Sequence, residues 1–272
     1  MKLAIHSGRF RVKEGEKVRL DDWSPDDMSG FPGDEKDALE ESKRLTSKLE
    51  KLQEKLFAEH KHKILVVLQA VDTGGKDGTI KKVFEGVNPQ GVRVSHFRVP
   101  TPEEKDHDFL WRVHSQVPES GEMVIFNRSH YEGVLVERVH KLVQRKVWER
   151  RYKEIIHFER LLHDDSTVIM KFYLNISREE QRKRLRERLV DPSKQWKFSS
   201  SDAREWEFWP KYMKAYEDAL ERTSTDFAPW YIVPSNKKWL RDVVVSSIIV
   251  ETMESLAMKY PKPTLDLASV KV

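Results

Sequence analysis

The chain has 272 residues, 38% hydrophobic and 35% charged, enough apolar material for one large core inside a highly charged surface. Its 49 basic and 45 acidic residues leave a formal charge of +4, a balance that requires neither nucleic acid nor a membrane as partner and directs the search for an anion site to local clusters. There is no cysteine, which excludes disulfides, thiolate metal sites and thiol catalysis.

The opening "MKLAIHSGRFRVKEG" becomes charged before a signal-peptide core develops, and no apolar run approaches the roughly 20 residues that cross a bilayer. A soluble cytoplasmic protein is expected. Residues 1–33 hold Pro, Gly and Asp without a sustained period and are expected to form an irregular arm. From 34 to about 60, Leu39, Leu45, Leu49, Leu52 and Leu56 recur among Glu and Lys, which predicts a long amphipathic helix. Five candidate strands follow: "KILVVLQA" (63–70), "VRVSHFRV" (92–99), "GEMVIFN" (121–127), "TVIMKFYLNI" (167–176) and "WYIVP" (230–234). Helices are expected between and after them, near 76–87, 103–116, 131–163, 178–189, 208–222 and 237–259. This alternation predicts an α/β sandwich on a parallel sheet. The segment 190–207, "VDPSKQWKFSSSDAREWE", breaks the pattern and is expected to be a lid.

The first strand runs into "VDTGGKDGTI" (71–80). Measured against the usual phosphate loop, Ala70 stands where the first glycine would be, Gly75-Lys76 is present, and Asp77 replaces the hydroxyl residue. Gly74, Gly75 and Gly78 allow backbone N–H groups to converge on an anion, and Lys76 opens a helix whose N-terminus favours negative charge. Thr73 and Thr79 belong to the same candidate phosphate-binding stretch, with Lys81 and Lys82 one turn further. Asp72 and Asp77 flank Lys76. Carboxylates beside bound phosphate are unfavourable unless a divalent cation lies between or a proton is to be taken. Asp77 is also readable as an ordinary first-turn helix acid.

At the end of the third strand, "FNRSHYEGVLVERV" (126–139) puts Asn127 and Arg128 where phosphate-loop enzymes hold a metal-reaching residue. A strand-end turn with an incidental Arg is the alternative. His130, Tyr131 and Glu132 read equally as core or supporting residues, with Glu132 a weaker metal candidate. "SREEQRKRLRERL" (177–189) starts with a capping-box pattern and repeats Arg178, Arg182 and Arg186 every four residues. Such a row either neutralises a transferring phosphoryl group or is a solvated face.

Together, "AVDTGGKDGTI", "FNRSHYEGVLVERV", "DPSKQWKFSSSD" and "APWYIVPSNKKW" resemble the second family of polyphosphate kinases, over nearly the whole chain. The resemblance implies a P-loop kinase: a three-layer α/β/α sandwich with a five-stranded parallel sheet and a helical lid. The kinase domain would span 34–260 and a tail 261–272. It further implies phosphoryl transfer between inorganic polyphosphate and adenine or guanine nucleotides, Mg2+ (or Mn2+), and a homo-oligomer, dimer or tetramer. In that family the loop reads Asp-x-x-Gly-Lys-x-Gly, which Asp72, Gly75, Lys76 and Gly78 match. The loop aspartate is implicated in activating the acceptor and holding metal. "NRSHYE" resembles the class acting on both nucleoside mono- and diphosphates, and one departure from it is Gly133, where an acidic residue is expected. Asp72, Lys76, Asn127 and Arg128 are the expected catalytic set, with Arg178 and Arg182 on the polyanion. An ATP-dependent nucleotide kinase and a non-enzymatic polyanion-binding module remain as alternatives.

Overall fold

Residues 5–196 and 205–264 are described by the computed structural model. Five strands, β1 Lys63–Gln69, β2 Val92–His96, β3 Met123–Asn127, β4 Thr167–Asn175 and β5 Trp230–Pro234, pair in parallel in the order β2-β3-β1-β4-β5. The three central strands therefore carry the continuous apolar runs that burial on both faces requires. Leu68 is in register with Asn127 on one side and Phe172 on the other, so β1 and β3 finish side by side. The chain passes to opposite sides of β1 as it builds the sheet, and ligands of open α/β sheets bind at such a switch point, beyond the strands' carboxyl ends.

The longer helices are α1 Glu35–Glu59, α2 Lys76–Val83, α3 Arg145–Asp164, α4 Arg178–Val190, α5 Trp209–Thr223 and α6 Lys238–Ser255. Alternate residues of β1 serve the two faces. Ile64, Val66 and Leu68 join Leu45, Leu49 and Leu56 of α1 and Val244 and Ile248 of α6. Leu65 and Val67 join Tyr152 and Ile155 of α3 and Leu220 of α5. This is the expected three-layer sandwich. Asp34 starts α1 with a reciprocal capping box to Asp37, satisfying N-terminal donors that the helix itself leaves open. No described helix is long and apolar enough to cross a membrane.

Three local expectations need revision. The arm is irregular but packed. Phe10, Val12, Val18, Leu20 and Phe31 are buried, and Arg11 bridges antiparallel to Tyr231, so the arm covers the open edge of β5. The single helix expected over 131–163 is broken into a 3-10 turn at His130–Gly133, a short helix at Val136–Val139, and α3. His130 and Tyr131 are drawn into the core, and Lys141 adopts φ +55°. The helix expected over 103–116 splits into Pro102–Asp106 and Trp111–His114, where the Asp108 carboxylate accepts from the Leu110 N–H at 2.9 Å and competes with helical bonding. Of the expected lid, 197–204 lies outside the described residues. Before it, α4 ends and a short helix occupies Pro192–Gln195.

Candidate active site

The loop between β1 and α2 turns on two left-handed residues, Thr73 at φ +60° and Gly75 at φ +106°. The Gly74 N–H donates to Val71 O at 3.0 Å, closing a tight turn, and Gly75 caps α2 without a side chain. A Cβ on Gly75 would lie 2.0 Å from Arg241 Nη1, so glycine is required there by both conformation and space. Lys76 folds back under the loop and donates to Ala70 O at 2.8 Å. Burial, reinforced by repulsion from Arg128, pulls its ammonium down to about 8, against the attraction of Asp72, Glu132 and Asp77. A bound polyanion would favour the charged form and push the value back up.

The end of β3 meets this loop. Asn127 Nδ2 donates to Asp77 Oδ1 at 2.8 Å, joining two residues 50 positions apart. Arg128, at φ +62°, donates its N–H to Leu68 O at 3.2 Å and projects its side chain into the cleft. Glu132 is half-buried beside it. Next to Arg128 opens a cavity of about 520 Å3, lined among others by Lys105, Phe109, Arg112, Glu132 and Arg151. The Arg151 guanidinium lies over the Phe109 ring at 4.5 Å and donates to Gly133 O at 2.9 Å. The position where an acidic residue was expected is therefore a glycine pressed against Arg151.

Asp72, Thr73, Gly74, Gly75, Lys76, Asp77 and Gly78 thus converge with Asn127 and Arg128. Thr79 is buried beneath and meets Asp242. Lys81 and Lys82 are exposed on α2, with Lys82 paired to Glu85 at 2.7 Å. The members of the arginine row are placed separately. Arg178 lies against the Trp206 ring at 4.0 Å, and Arg182 lines an outer groove with Lys183 and Arg186. The face of α4 that rests on the loop carries Gln181, Arg184 and Arg188. Gln181 Nε2 donates to Asp72 O at 3.1 Å, and Arg188 Nη1 to Asp72 Oδ2 at 3.2 Å. Arg184, buried, reaches Thr73 O and Gly74 O. These three and Arg241 were not identified from the sequence.

Below the turn that carries Arg128 lies a polar cluster closed to solvent. Lys171 Nζ donates to Glu159 Oε2, Thr223 O and the Tyr131 hydroxyl at 2.6, 2.7 and 2.9 Å, using all three of its protons. Glu159 Oε1 lies 2.8 Å from the Tyr131 hydroxyl and 3.2 Å from His130 Nε2. Although burial opposes its charge, Lys171 and His130 hold Glu159 below the ordinary carboxylate range, and burial keeps His130 neutral. His130 and Tyr131 are therefore buried members of this cluster, bonded to Glu159.

The family described as polyphosphate kinase 2 matches residues 33–261. The chain is 55% identical to a Meiothermus ruber protein named AMP/ADP-polyphosphate phosphotransferase, over 97% of this chain and 98% of that one. It is 42% identical to a Rhodopseudomonas palustris protein named ADP-polyphosphate phosphotransferase, over 96% and 94%. The crystal structure of polyphosphate kinase 2 from Arthrobacter aurescens TC1 superposes with a TM-score of 0.95 at 42% identity, covering 99% of this chain and 96% of that one. A phosphate loop with aspartate in place of the hydroxyl, meeting Asn-Arg at the next strand end and matched over this length, makes the chain a member of the polyphosphate kinase 2 family.

Proposed function

We propose that this protein transfers phosphoryl groups from inorganic polyphosphate to AMP and ADP, reversibly, giving ADP and ATP. The observation that carries this reading is the contact of Asn127 with Asp77, because it gives the hydroxyl-less loop a partner of its own. Lys76 and the loop amides would hold phosphate, and Arg128 would face the oxygens of the group in transit. Asp72 would orient the acceptor phosphate. The cavity beside Arg128 suits the acceptor nucleotide: Phe109 offers an aromatic face, and Lys105, Arg112 and Arg151 offer cationic groups. Lys81, Lys82, Arg178 and Arg182 would meet the distal polyanion. Each transfer exchanges one phosphoanhydride for another, so the site has mainly to position and neutralise.

Among the described residues no three His, Cys, Asp or Glu side chains gather as a metal cage. Mg2+ (or Mn2+) binds kinase sites through one or two carboxylates, water and substrate phosphate, and the loop carries two carboxylates, Asp72 and Asp77, on either side of Lys76. Asp72 and Asp77 would hold the ion, with Glu132 at the edge. When bound, it would supply charge neutralisation between donor and acceptor phosphates.

A substrate matrix tests the reading: polyphosphate, ATP or no donor against AMP, ADP, GMP and GDP. ADP and then ATP should form from AMP and polyphosphate alone. Product only with added triphosphate would make this an ordinary nucleotide kinase, and binding without product would leave a polyanion-binding module.

A further inference from the structure

The guanidinium of Arg184 serves four main-chain carbonyls. Nη1 lies 3.2 Å from Thr73 O and 3.3 Å from Gly74 O, in the phosphate loop. Nη2 lies 2.6 Å from Ser235 O and 3.0 Å from Asn236 O, just beyond β5. Nε is held by Glu180 Oε1 at 2.7 Å, one turn back on α4. A second buried guanidinium, that of Arg241, is fixed by Asp242 at 2.8 Å and fills the space against Gly75. It also stands 3.4 Å from where a Cβ on Gly78 would be.

The peptide unit is planar and trans, so its N–H points away from its C=O. Drawing the Gly74 carbonyl down to Arg184 turns the Gly75 N–H to the opposite side. Drawing the Thr73 carbonyl down aligns the Gly74 N–H with Val71 O, the bond that closes the turn. Left alone, a glycine-rich loop samples peptide orientations that present carbonyl oxygens to an anion, which repels it. Water would compete weakly for these carbonyls, because Arg184 is buried. Neither guanidinium need touch phosphate to do this.

We propose that Arg184, backed by Arg241, is a positioning residue that presets the peptide planes of the phosphate loop for anion binding. Since Arg184 stands on the helix leading into residues 190–207, it also fixes that helix to the loop. The proposal rests on the polyphosphate-kinase reading for its consequence in turnover, and on geometry alone for its consequence in binding.

The experiment compares wild type with Arg184→Lys and Arg184→Ala in turnover, and in calorimetric binding of tripolyphosphate over a range of salt. Lysine keeps one charge but lacks the planar fork needed for four carbonyls. Arg184→Lys should remain folded by circular dichroism and lose at least about tenfold in kcat. The salt slope of tripolyphosphate binding by Arg184→Ala, which removes the charge, should equal that of wild type, since no phosphate contact is removed. Millimolar guanidinium should restore part of the Arg184→Ala turnover. Wild-type turnover in either variant, or a salt slope smaller by about one, would overturn the proposal, the latter by making Arg184 a direct phosphate ligand. A wild type inactive with polyphosphate would defeat the functional reading instead. The tripolyphosphate arm then decides alone: an Arg184→Lys affinity equal to wild type would still overturn the inference.

Discussion

Asn127 donates to Asp77 across the mouth of the phosphate loop, amide nitrogen to carboxylate oxygen at 2.8 Å. The contact joins the end of β3 to the first turn of α2, and it depends on Asn127 being a donor. Asn127→Asp would set two carboxylates against each other, and like charges at this separation cannot both ionise without a cation between them. The expected outcome is a lower melting temperature in chelator, largely recovered by millimolar Mg2+, and turnover with a raised Mg2+ requirement. Identical Mg2+ dependence in wild type and variant would show that this pair has no part in holding a metal.

Lys76 supplies a pH dependence whose sign is fixed. Its free-site value of about 8 lies below that of an ordinary lysine because of burial and Arg128. In the free protein the group therefore contributes stability that rises with pH between about 8 and the unfolded value of about 10.4. Anion binding works in the opposite sense, because it favours the charged form. Tripolyphosphate affinity should be level below pH 8 and fall as pH rises through it, with proton uptake on binding measurable by calorimetry in buffers of different ionisation enthalpy. Lys76→Arg, which stays charged, should shift or abolish that inflection.

Gly75→Ala tests the packing of the loop. The substitution meets both a left-handed backbone and Arg241 Nη1 at 2.0 Å from the new Cβ, and backbone strain of this kind costs about 1–3 kcal/mol. A drop of several degrees in melting temperature is expected, with turnover falling further than stability does, because the displaced residue caps the helix that would face phosphate. Truncating the obstacle as well, in Gly75→Ala with Arg241→Ala, should relieve less than half of the turnover loss if Arg241 also supports the loop.

How much of this was legible in the sequence depends on what kind of pattern each part carries. The buried strands and the loop showed themselves because continuous apolar runs and glycine-lysine spacing are local signals. The inward face of α4 did not: Leu185 and Leu189 are the only leucines in its thirteen residues, so no apolar stripe told which arginines point down. The step of four selected Arg178, Arg182 and Arg186, whereas the loop is met by Gln181, Arg184 and Arg188. Arg241 did leave a trace. An Arg-Asp pair inside "LRDVVV" (240–245) interrupts an apolar helix, and charged residues are tolerated in such a setting when paired. The breaks within 131–163 were hidden because Tyr131, Val134, Leu135 and Val139 sit at spacings compatible with a helix, whereas the bonds that hold His130 and Tyr131 go to Glu159 and Lys171, distant in sequence.

That polar cluster yields the last prediction. Lys171 and Glu159 are both wholly enclosed, and removing one partner of such a pair leaves the other uncompensated, at a typical cost of about 3–5 kcal/mol. Lys171→Met should therefore be severely destabilised, and Glu159→Gln less so, since the amide oxygen can still accept from Lys171. Replacing both, as Lys171→Met with Glu159→Leu, removes both buried charges and should recover much of the lost stability. It should not recover turnover. His130 and Tyr131 both bond to Glu159, and they stand two and three residues after Arg128, in the turn that aims its guanidinium into the cleft. Without Glu159 that turn keeps its apolar packing but loses its orientation, so kcat should stay depressed while the melting temperature returns. A double variant that regains stability and full turnover together would show that the cluster holds the core and has no part in directing Arg128.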